Sequence, residues 1–310
     1  MSHSCCARRI QSGKFTAVRR ALTLLELVVV LGILALLSTV AVRSLEPIAD
    51  QSRYEATQRV LNDLRFGAAG DNSHRFTSGQ PIVSGFIADT GGLPTSVDDV
   101  LVCPVGISTH AVQNFDSDRD TVDDVTLSSG WKGPYLQLGA GYNAVVDGWG
   151  RTPTISVVGS DIDFVSLGSD GDSLAPETGY RADLTVGVTP QDYAGDIVFR
   201  LFAIDTLSGS RIDPAPTGTE QLGILFYGIN AAGGSSGAME EQMLIVAASG
   251  SFEFRRASTI HGTVAARAIL WDDVDSDDVL DPAETITKKS YVHYPMVNSA
   301  SDVRVEMELR

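Results

Sequence analysis

The amino-acid sequence predicts an α+β fold. In this prediction a long N-terminal transmembrane helix packs on a small antiparallel-sheet head, and an all-β, sandwich-like C-terminal domain follows. Three observations support it: a nearly continuous apolar run at residues 22–42, loop-rich sequence with short elements from residue 70 to about 130, and repeated alternation of apolar and polar residues from 179 to 310. Alternation with a period of two is typical of half-buried strands, whereas the apolar run has the length of a membrane-spanning helix.

Charge is unevenly distributed along the chain. The 310 residues carry a formal net charge of −16, which argues against nucleic acid as a partner. Residues 1–21 contain five of the 23 basic side chains and no acid, so residues 22–310 hold 18 basic against 39 acidic side chains, a net charge of −21. A basic leader before an apolar helix predicts a cytoplasmic N-terminus by the positive-inside rule.

The apolar run is predicted to cross a membrane and to continue as a polar helix. About 20 apolar residues are enough to span a hydrocarbon core of roughly 30 Å. Apolar residues spaced three and four apart extend the helix to residue 69, and Pro47 predicts a kink because it lacks the amide donor. Glu26 stands out inside this run, since a carboxylate in apolar surroundings costs several kcal/mol to desolvate.

The stretch ALTLLEL at residues 21–27 resembles the prepilin-type signal of type IV pilins and type II secretion pseudopilins, in which a small residue precedes Phe-Thr-Leu-Ile-Glu. This resemblance implies that a prepilin peptidase removes residues 1–21 by cutting between Ala21 and Leu22, and methylates the new amine on Leu22. It also implies that Glu26 pairs with that amine on a neighbouring subunit during filament assembly. Ala21 and Leu22 replace the commoner Gly and Phe, which predicts slower cleavage.

Three further stretches resemble the head of major pseudopilins. They are GWKGPYLQ at residues 130–137, VDGWGRTP at 146–153 and DFVSLGSDGDS at 163–173, in the order of the family's Trp-x-Gly-Pro-Tyr, Asp-Pro-Trp-Gly and Ser-Leu-Gly-x-Asp-Gly motifs. The resemblance therefore covers about residues 15–175 and implies a helix at 22–69 and a pseudopilin-like head at 70–178.

Residues 179–310 have no counterpart in that head and are predicted to form a separate β-domain. Apolar and polar residues alternate at 222–227, 263–270 and 303–309, among other runs. Several such strands separated by glycine-rich turns favour an antiparallel sandwich.

Three acidic stretches are candidate calcium sites, because calcium takes six to eight oxygen ligands. For the first, the resemblance implies that calcium is held by main-chain carbonyls beside Ser166 and by the carboxylate of Asp170. Glu177 is the nearest match for the family's second carboxylate, and Asp172 competes with it. The alternative for this stretch is an ordinary solvated turn.

The other two stretches follow the ligand spacing of EF-hand loops. In residues 273–284, acids occupy loop positions 1, 3, 5, 9 and 12, which are Asp273, Asp275, Asp277, Asp281 and Glu284. In residues 116–124, Asp116, Asp118 and Asp120 form a D-x-D-x-D start, but loop position 12 is Leu127 rather than a closing acid. A soluble acidic loop is the alternative for this last stretch.

No pattern in the sequence indicates catalysis, because G-x-S-x-G and H-E-x-x-H are absent and the five histidines lack ligand spacing. We therefore expect no enzyme. The resemblance implies a type II secretion pseudopilin that assembles through its hydrophobic N-terminal helix and supports protein secretion. Its implied partners are homo- or hetero-polymeric pilin-like subunits, the prepilin peptidase and an inner-membrane assembly platform.

The resemblance and the charge asymmetry together predict a single-pass protein of the bacterial inner membrane. Its N-terminus would be cytoplasmic, its C-terminal domains periplasmic or extracytoplasmic, and the subunit would be extracted into a filament. Two alternatives stay open: a type IV minor pilin, and a membrane-anchored calcium-dependent binding protein or adhesin.

Overall fold

The computed structural model describes residues 24–71, 83–173, 178–229, 239–245, 252–275, 280–281, 284–298 and 302–310. Within these ranges the side chains of residues 40–45, 240 and 243–245 are excluded. The chain divides into two compact units, Met1–Asp50 and Gln51–Arg310, which we describe one at a time.

The described secondary structure comprises three α-helices, two 3₁₀ turns and fifteen strands. The helices are α1 (Leu24–Ala69), α2 (Phe86–Thr90) and α3 (Pro190–Tyr193), and the 3₁₀ turns are Val97–Val100 and Gly179–Arg181. The strands are β1 (Ala111–Phe115), β2 (Val125–Ser129), β3 (Thr154–Val158), β4 (Asp161–Ser166), β5 (Leu184–Val188), β6 (Ala194–Ile204), β7 (Arg211–Ile212), β8 (Glu220–Ile229), β9 (Met239–Ile245), β10 (Glu253–Ile260), β11 (Gly262–Thr263), β12 (Ala265–Asp272), β13 (Thr285–Lys289), β14 (Met296–Val297) and β15 (Val303–Leu309).

The predicted fold class is wrong, because the described residues are mostly β-strand with few helices. In the part of the chain that the structure describes, no helix is long and apolar enough to cross a membrane. The predicted transmembrane helix at 22–42 and the predicted single-pass inner-membrane localisation are therefore also wrong.

The first unit contains the N-terminal part of α1, in which large apolar side chains face outward. The helix runs through Pro47, which lies inside it. Two polar side chains near the middle of the helix bond to their own backbone: the Ser38 hydroxyl donates to the Leu34 carbonyl and the Thr39 hydroxyl to the Leu36 carbonyl, both at 2.7 Å. Such bonds satisfy the hydroxyls within the helix.

In the second unit, the C-terminal part of α1 packs on a small head. Leu61, Leu64 and Ala68 are buried against α2, the Val97–Val100 turn and the antiparallel sheet β3-β4-β5, where Ile162 and Phe164 face the helix. These positions on α1 follow the three/four spacing of an amphipathic helix. An ion pair of 2.6 Å between Arg65 and Asp192 also connects α1 to α3.

Two four-stranded sheets face each other in the remainder of this unit. One has the order β10-β6-β15 with β7 also paired to β6, and the other has the order β13-β12-β8-β9. Side chains from β6 and β15 meet those from β8 and β12 in one core that includes Phe199, Met307, Phe226 and Ala268. The sandwich is not purely antiparallel as predicted, because β15 pairs in parallel with β6.

The inner strands β8 and β12 are buried on both faces. Beyond the sandwich core, their other side chains pack under the β1–β2 hairpin; Tyr227 and Trp271 contact that second core with Val125 and Leu127. The predicted half-buried alternation at 222–227 and 263–270 is therefore wrong. A strand covered on both faces is apolar throughout, and β12 is buried at seven consecutive positions, Ala265–Trp271.

A buried arginine connects the β1–β2 hairpin to β12. The side chain of Arg267 is only 9% exposed and lies 3.0 Å from an Asp118 carboxylate oxygen. It also pairs with Asp124 and donates to the Ser117 hydroxyl at 2.6 Å and to the Ser290 carbonyl at 3.1 Å. The hairpin precedes the predicted boundary between residues 178 and 179, and β12 follows it, so this contact joins elements from both predicted domains.

We predict that Arg267→Met lowers the free energy of unfolding by about 3–5 kcal/mol, because it leaves the Asp124 carboxylate without its cation and Asp118 with Lys289 alone. Urea unfolding measures this loss. The matched control is Arg211→Met, which removes an exposed pair with Glu306 (60% and 50% exposed) and should cost no more than about 1 kcal/mol. If the two variants lose equal stability, apolar packing alone holds the hairpin in place.

Candidate functional site

The predicted assembly residues lie at the N-terminal end of α1. Glu26 is in the first turn and is exposed, whereas the predicted processing residues Ala21 and Leu22 lie outside the described residues. An acidic side chain in the first turn is favourable, because the helix dipole is positive there. The pairing of Glu26 with an amine on a neighbouring subunit stays a prediction.

Around Glu26, α1 presents an apolar surface that we call the apolar segment, Leu24–Leu37. Eleven large apolar side chains of this segment are between 48% and 82% exposed: Leu24, Leu25, Leu27, Val28, Val29, Val30, Leu31, Ile33, Leu34, Leu36 and Leu37. They occupy nearly consecutive positions, so they cover all sides of the helix rather than one stripe. A helix that is apolar on every side needs to be covered by other apolar groups.

The motif at residues 130–137 forms a packed aromatic cluster. The rings of Trp131 and Tyr135 meet edge to face at 5.9 Å, and Tyr135 meets Phe86 of α2 in the same way at 6.1 Å. The Trp131 indole donates to the Asp99 carbonyl at 3.3 Å. A Cβ on Gly133 would stand 2.7 Å from the Trp131 ring, so only glycine fits there. The motif therefore anchors the head.

The motif at residues 146–153 docks the head against α1. The amide of Gly148 donates to the Thr57 hydroxyl at 2.9 Å, and a Cβ added at this glycine would overlap the Arg53 carbonyl. The buried carboxylate of Asp147 accepts the Trp149 amide at 2.9 Å and the Arg151 amide at 2.8 Å. Glycine is thus required where the loop backbone meets the helix.

The first predicted calcium loop is organised by Arg151. Its guanidinium donates to the carbonyls of Gly168 at 2.5 Å and Ser169 at 3.2 Å. A calcium ion would need main-chain carbonyls of this loop, and it would be repelled by a guanidinium that already holds two of them.

Of the other ligands predicted for this loop, those that the structure describes do not gather around an ion either. The Ser166 hydroxyl donates to Asp147 at 2.6 Å, and both groups are buried. Asp170 and Asp172 are exposed and belong to neither of the two three-acid groups found among the described residues. Glu177 lies outside the described residues. The described residues of this loop therefore do not fit calcium.

The loop at 116–124 brings Asp116, Asp118 and Asp120 together, with one carboxylate oxygen from each within 4.8 Å of the others. Two cationic side chains already neutralise Asp118, since its carboxylate pairs with both Lys289 and Arg267. Burial alone would raise the pKa of Asp118, but the Lys289 ammonium and the Arg267 guanidinium hold that pKa below its usual value. A calcium ion would compete with both cations, so this group fits an ion pair network better than a metal.

The loop that starts at residue 273 brings Asp273, Asp275 and Glu284 within 4.8 Å of one another. Oxygen ligands 2.3–2.6 Å from a calcium ion are separated by up to about 5 Å, so this spacing fits. The Glu284 carboxylate is oriented by the amides of Val274 at 2.9 Å and Asp281 at 3.0 Å.

This group comprises three of the five acids predicted for the loop. Asp281 is described but is not part of the three-acid group, and Asp277 lies outside the described residues. The three acids that do come together fit calcium.

Comparisons with family models, with curated proteins and with solved structures gave no match.

Two arginines with structural roles escaped the sequence analysis. Arg267 is the single charged residue in the apolar run Ala265–Trp271, and an isolated arginine in such a run indicates a buried cation with a partner. Arg151 follows the VDGWG part of its motif directly, but nothing in the local sequence indicates that it reaches carbonyls 17 and 18 residues further on.

We predict that Arg151→Lys speeds amide exchange at Ser169 and Gly171 by about 10- to 100-fold, because lysine cannot bond both carbonyls in a fork. Hydrogen exchange measured by mass spectrometry over residues 166–173 tests this, with the exposed Arg200→Lys as the matched control. Adding calcium or a chelator should leave exchange in the wild type unchanged. Faster exchange after chelation would show that a metal, not Arg151, holds the loop.

Proposed function

We propose that this chain is a pseudopilin, a structural subunit that polymerises through the apolar segment of α1 into a filament of the type II secretion class. The observation that carries the proposal is the outward-facing apolar surface of that segment. The leader and head motifs described above support the same class of protein. Its action is mechanical, and it supports secretion by assembly rather than by catalysis.

Other copies of the same helix are the partners best suited to bury this apolar surface. Burying one exposed Leu, Ile or Val side chain is worth about 1.5–3 kcal/mol, and eleven such side chains are available on each copy. Because the apolar surface surrounds the helix, one partner helix cannot cover it. Several neighbours are needed, and a helical bundle of successive subunits supplies them.

Glu26 determines how neighbouring helices align in this proposal. A carboxylate inside an apolar bundle is tolerated only when it is paired. Cleavage after Ala21 by a prepilin peptidase provides a partner, the methylated amine of Leu22 on an adjacent subunit. An assembly platform would bring each new subunit to the growing filament so that this pair forms.

We predict that Glu26→Gln reduces filament formation by at least about 100-fold, because loss of one member of a buried ion pair costs about 3–5 kcal/mol. The assay is electron microscopy of sheared filaments from cells that contain the peptidase and the assembly platform. The matched control is Glu46→Gln, which changes an exposed carboxylate further along the same helix and should leave assembly intact.

Two results would overturn the pseudopilin proposal. One is normal filament formation by the Glu26→Gln variant, which removes the pairing role. The other is mass spectrometry of the wild-type protein from these cells showing residues 1–21 still attached, since no free amine would then exist at Leu22.

We also propose that Asp273, Asp275 and Glu284 bind calcium, as a structural ion in the loop before β13. The support is that three carboxylate groups meet within calcium-coordinating distance and that no basic side chain pairs with Glu284 among the described contacts. The ion would offset the mutual repulsion of the acids and would hold together the two ends of the loop.

We predict that 1 mM calcium stabilises the wild type by about 1.4 kcal/mol if the dissociation constant is about 10⁻⁴ M, and that Glu284→Gln abolishes this gain. Thermal unfolding with and without calcium measures it, with Glu253→Gln as a control on an exposed position of β10. Equal stabilisation of the wild type and Glu284→Gln would place the ion elsewhere, and no stabilisation of the wild type would exclude a calcium site.

A further inference from the structure

A cavity with a volume of about 310 Å³ opens beside the head in the second unit. It lies between the β1–β2 hairpin, helix α2 and the chain segment from Thr259 to Val264. A volume of this size is at the lower end of the range for small-molecule sites. None of the sequence motifs discussed above lies at its centre.

Buried polar atoms that have no hydrogen-bond partner converge on this cavity. Ten such side-chain atoms occur among the described residues, and four of them belong to residues that line the cavity: Asp89 Oδ2, Thr259 Oγ1, and both ring nitrogens of His261. Thr259 is 6% exposed and His261 is fully buried. Buried polar groups in folded proteins almost always have a partner, and the described residues provide none for these four atoms.

The inner part of the cavity offers neutral donors and acceptors. Burial lowers the pKa of His261, so its ring is neutral near pH 7 and presents one donor and one acceptor. The Ala194 carbonyl lies near the ring but outside hydrogen-bonding geometry. The Thr259 hydroxyl adds a second donor and acceptor. A neutral amide or hydroxyl group would match these two side chains.

The lining of the cavity also includes one acid, Asp89, and two basic side chains, Lys132 and His110. Burial raises the pKa of Asp89, and the hydroxyl of Tyr135 and the charges of Lys132 and His110 partly oppose this rise. Lys132 is exposed and lines the cavity, and its charge acts on the Asp89 carboxylate. A ligand that supplies an ammonium for Asp89 and a carboxylate for Lys132 would satisfy both charges.

The apolar side chains that line the cavity restrict the class of ligand further. Between the polar groups the cavity is lined by aliphatic side chains, among them Ile229, Met239 and Val264. The described residues that line it include no Phe, Tyr or Trp, so a sugar ring would find no aromatic face to stack on.

We propose that this cavity binds a zwitterionic amino acid with a neutral hydrogen-bonding side chain. The ammonium would pair with Asp89 and the carboxylate with Lys132, while the side chain would reach inward to Thr259 and His261. The proposal is independent of the filament function, because it uses neither the apolar segment nor the acidic loops.

Isothermal titration calorimetry of the full chain with L-glutamine, L-asparagine and L-threonine tests this site. We expect saturable binding of at least one of them, and binding about 10- to 100-fold weaker for Asp89→Asn, because a charge-assisted hydrogen bond is lost. N-acetyl-L-glutamine lacks the ammonium, and L-norleucine lacks the polar side chain, so both should bind at least tenfold more weakly than L-glutamine. The control variant Asp213→Asn changes an exposed carboxylate outside the cavity and should bind like the wild type.

Three results would overturn the proposal. The first is the absence of saturable binding of any of the three amino acids at concentrations up to about tenfold above a dissociation constant of about 1 mM. The cavity would then contain only ordered water. The second is unchanged affinity in Asp89→Asn. The third comes from the wild type itself: the ring resonances of His261, observed by nuclear magnetic resonance, should shift on saturation with the ligand, and constant resonances would exclude contact with this side chain.

Discussion

The second unit depends on the buried guanidinium of Arg267. It comes from the middle of β12, a strand with apolar neighbours on both faces, and it reaches two acids of the β1–β2 hairpin loop. Removing charges from water is costly, and the cost is recovered only when each charge has close partners. Here the partners lie on an element more than 140 residues earlier in the chain, so the hairpin and the sandwich adopt their positions together.

Charged side chains with close hydrogen-bonding partners also organise the head. Asp147 is buried and accepts bonds from two amides and one hydroxyl, and Arg151 uses its fork to hold the next loop. A cation supplied by the chain thus occupies the carbonyls that a metal would otherwise need. Asp118 is similarly neutralised by Arg267 and Lys289, whereas Asp273, Asp275 and Glu284 bring one carboxylate oxygen each within 4.8 Å of one another.

Local patterns in the sequence identified single elements better than their arrangement. The alternation at residues 303–309 correctly predicted β15, and the glycine-containing motifs at 130–137 and 146–153 mark the packing contacts of the head. The alternation at 263–270 was misleading, because both faces of β12 are covered by elements distant in sequence. The transmembrane prediction considered only composition along the chain and was wrong for the helix that the structure describes. The acids of the candidate loops were visible in the sequence, but the two basic side chains that pair with Asp118, Arg267 and Lys289, lie far away along the chain.

Because β15 pairs with β6, one edge of the β6 strand can be paired only after residues 303–309 have been synthesised. Residues 303–309 of β15 pair with residues 197–203 of β6, which lies at the centre of its sheet. This edge of β6 therefore has no partner until about 100 further residues have been synthesised. Until then the unpaired amides and carbonyls along that edge of β6 can form hydrogen bonds with another polypeptide chain. High contact order of this kind slows folding, and the nascent chain is exposed to aggregation at this edge until residues 303–309 have been synthesised.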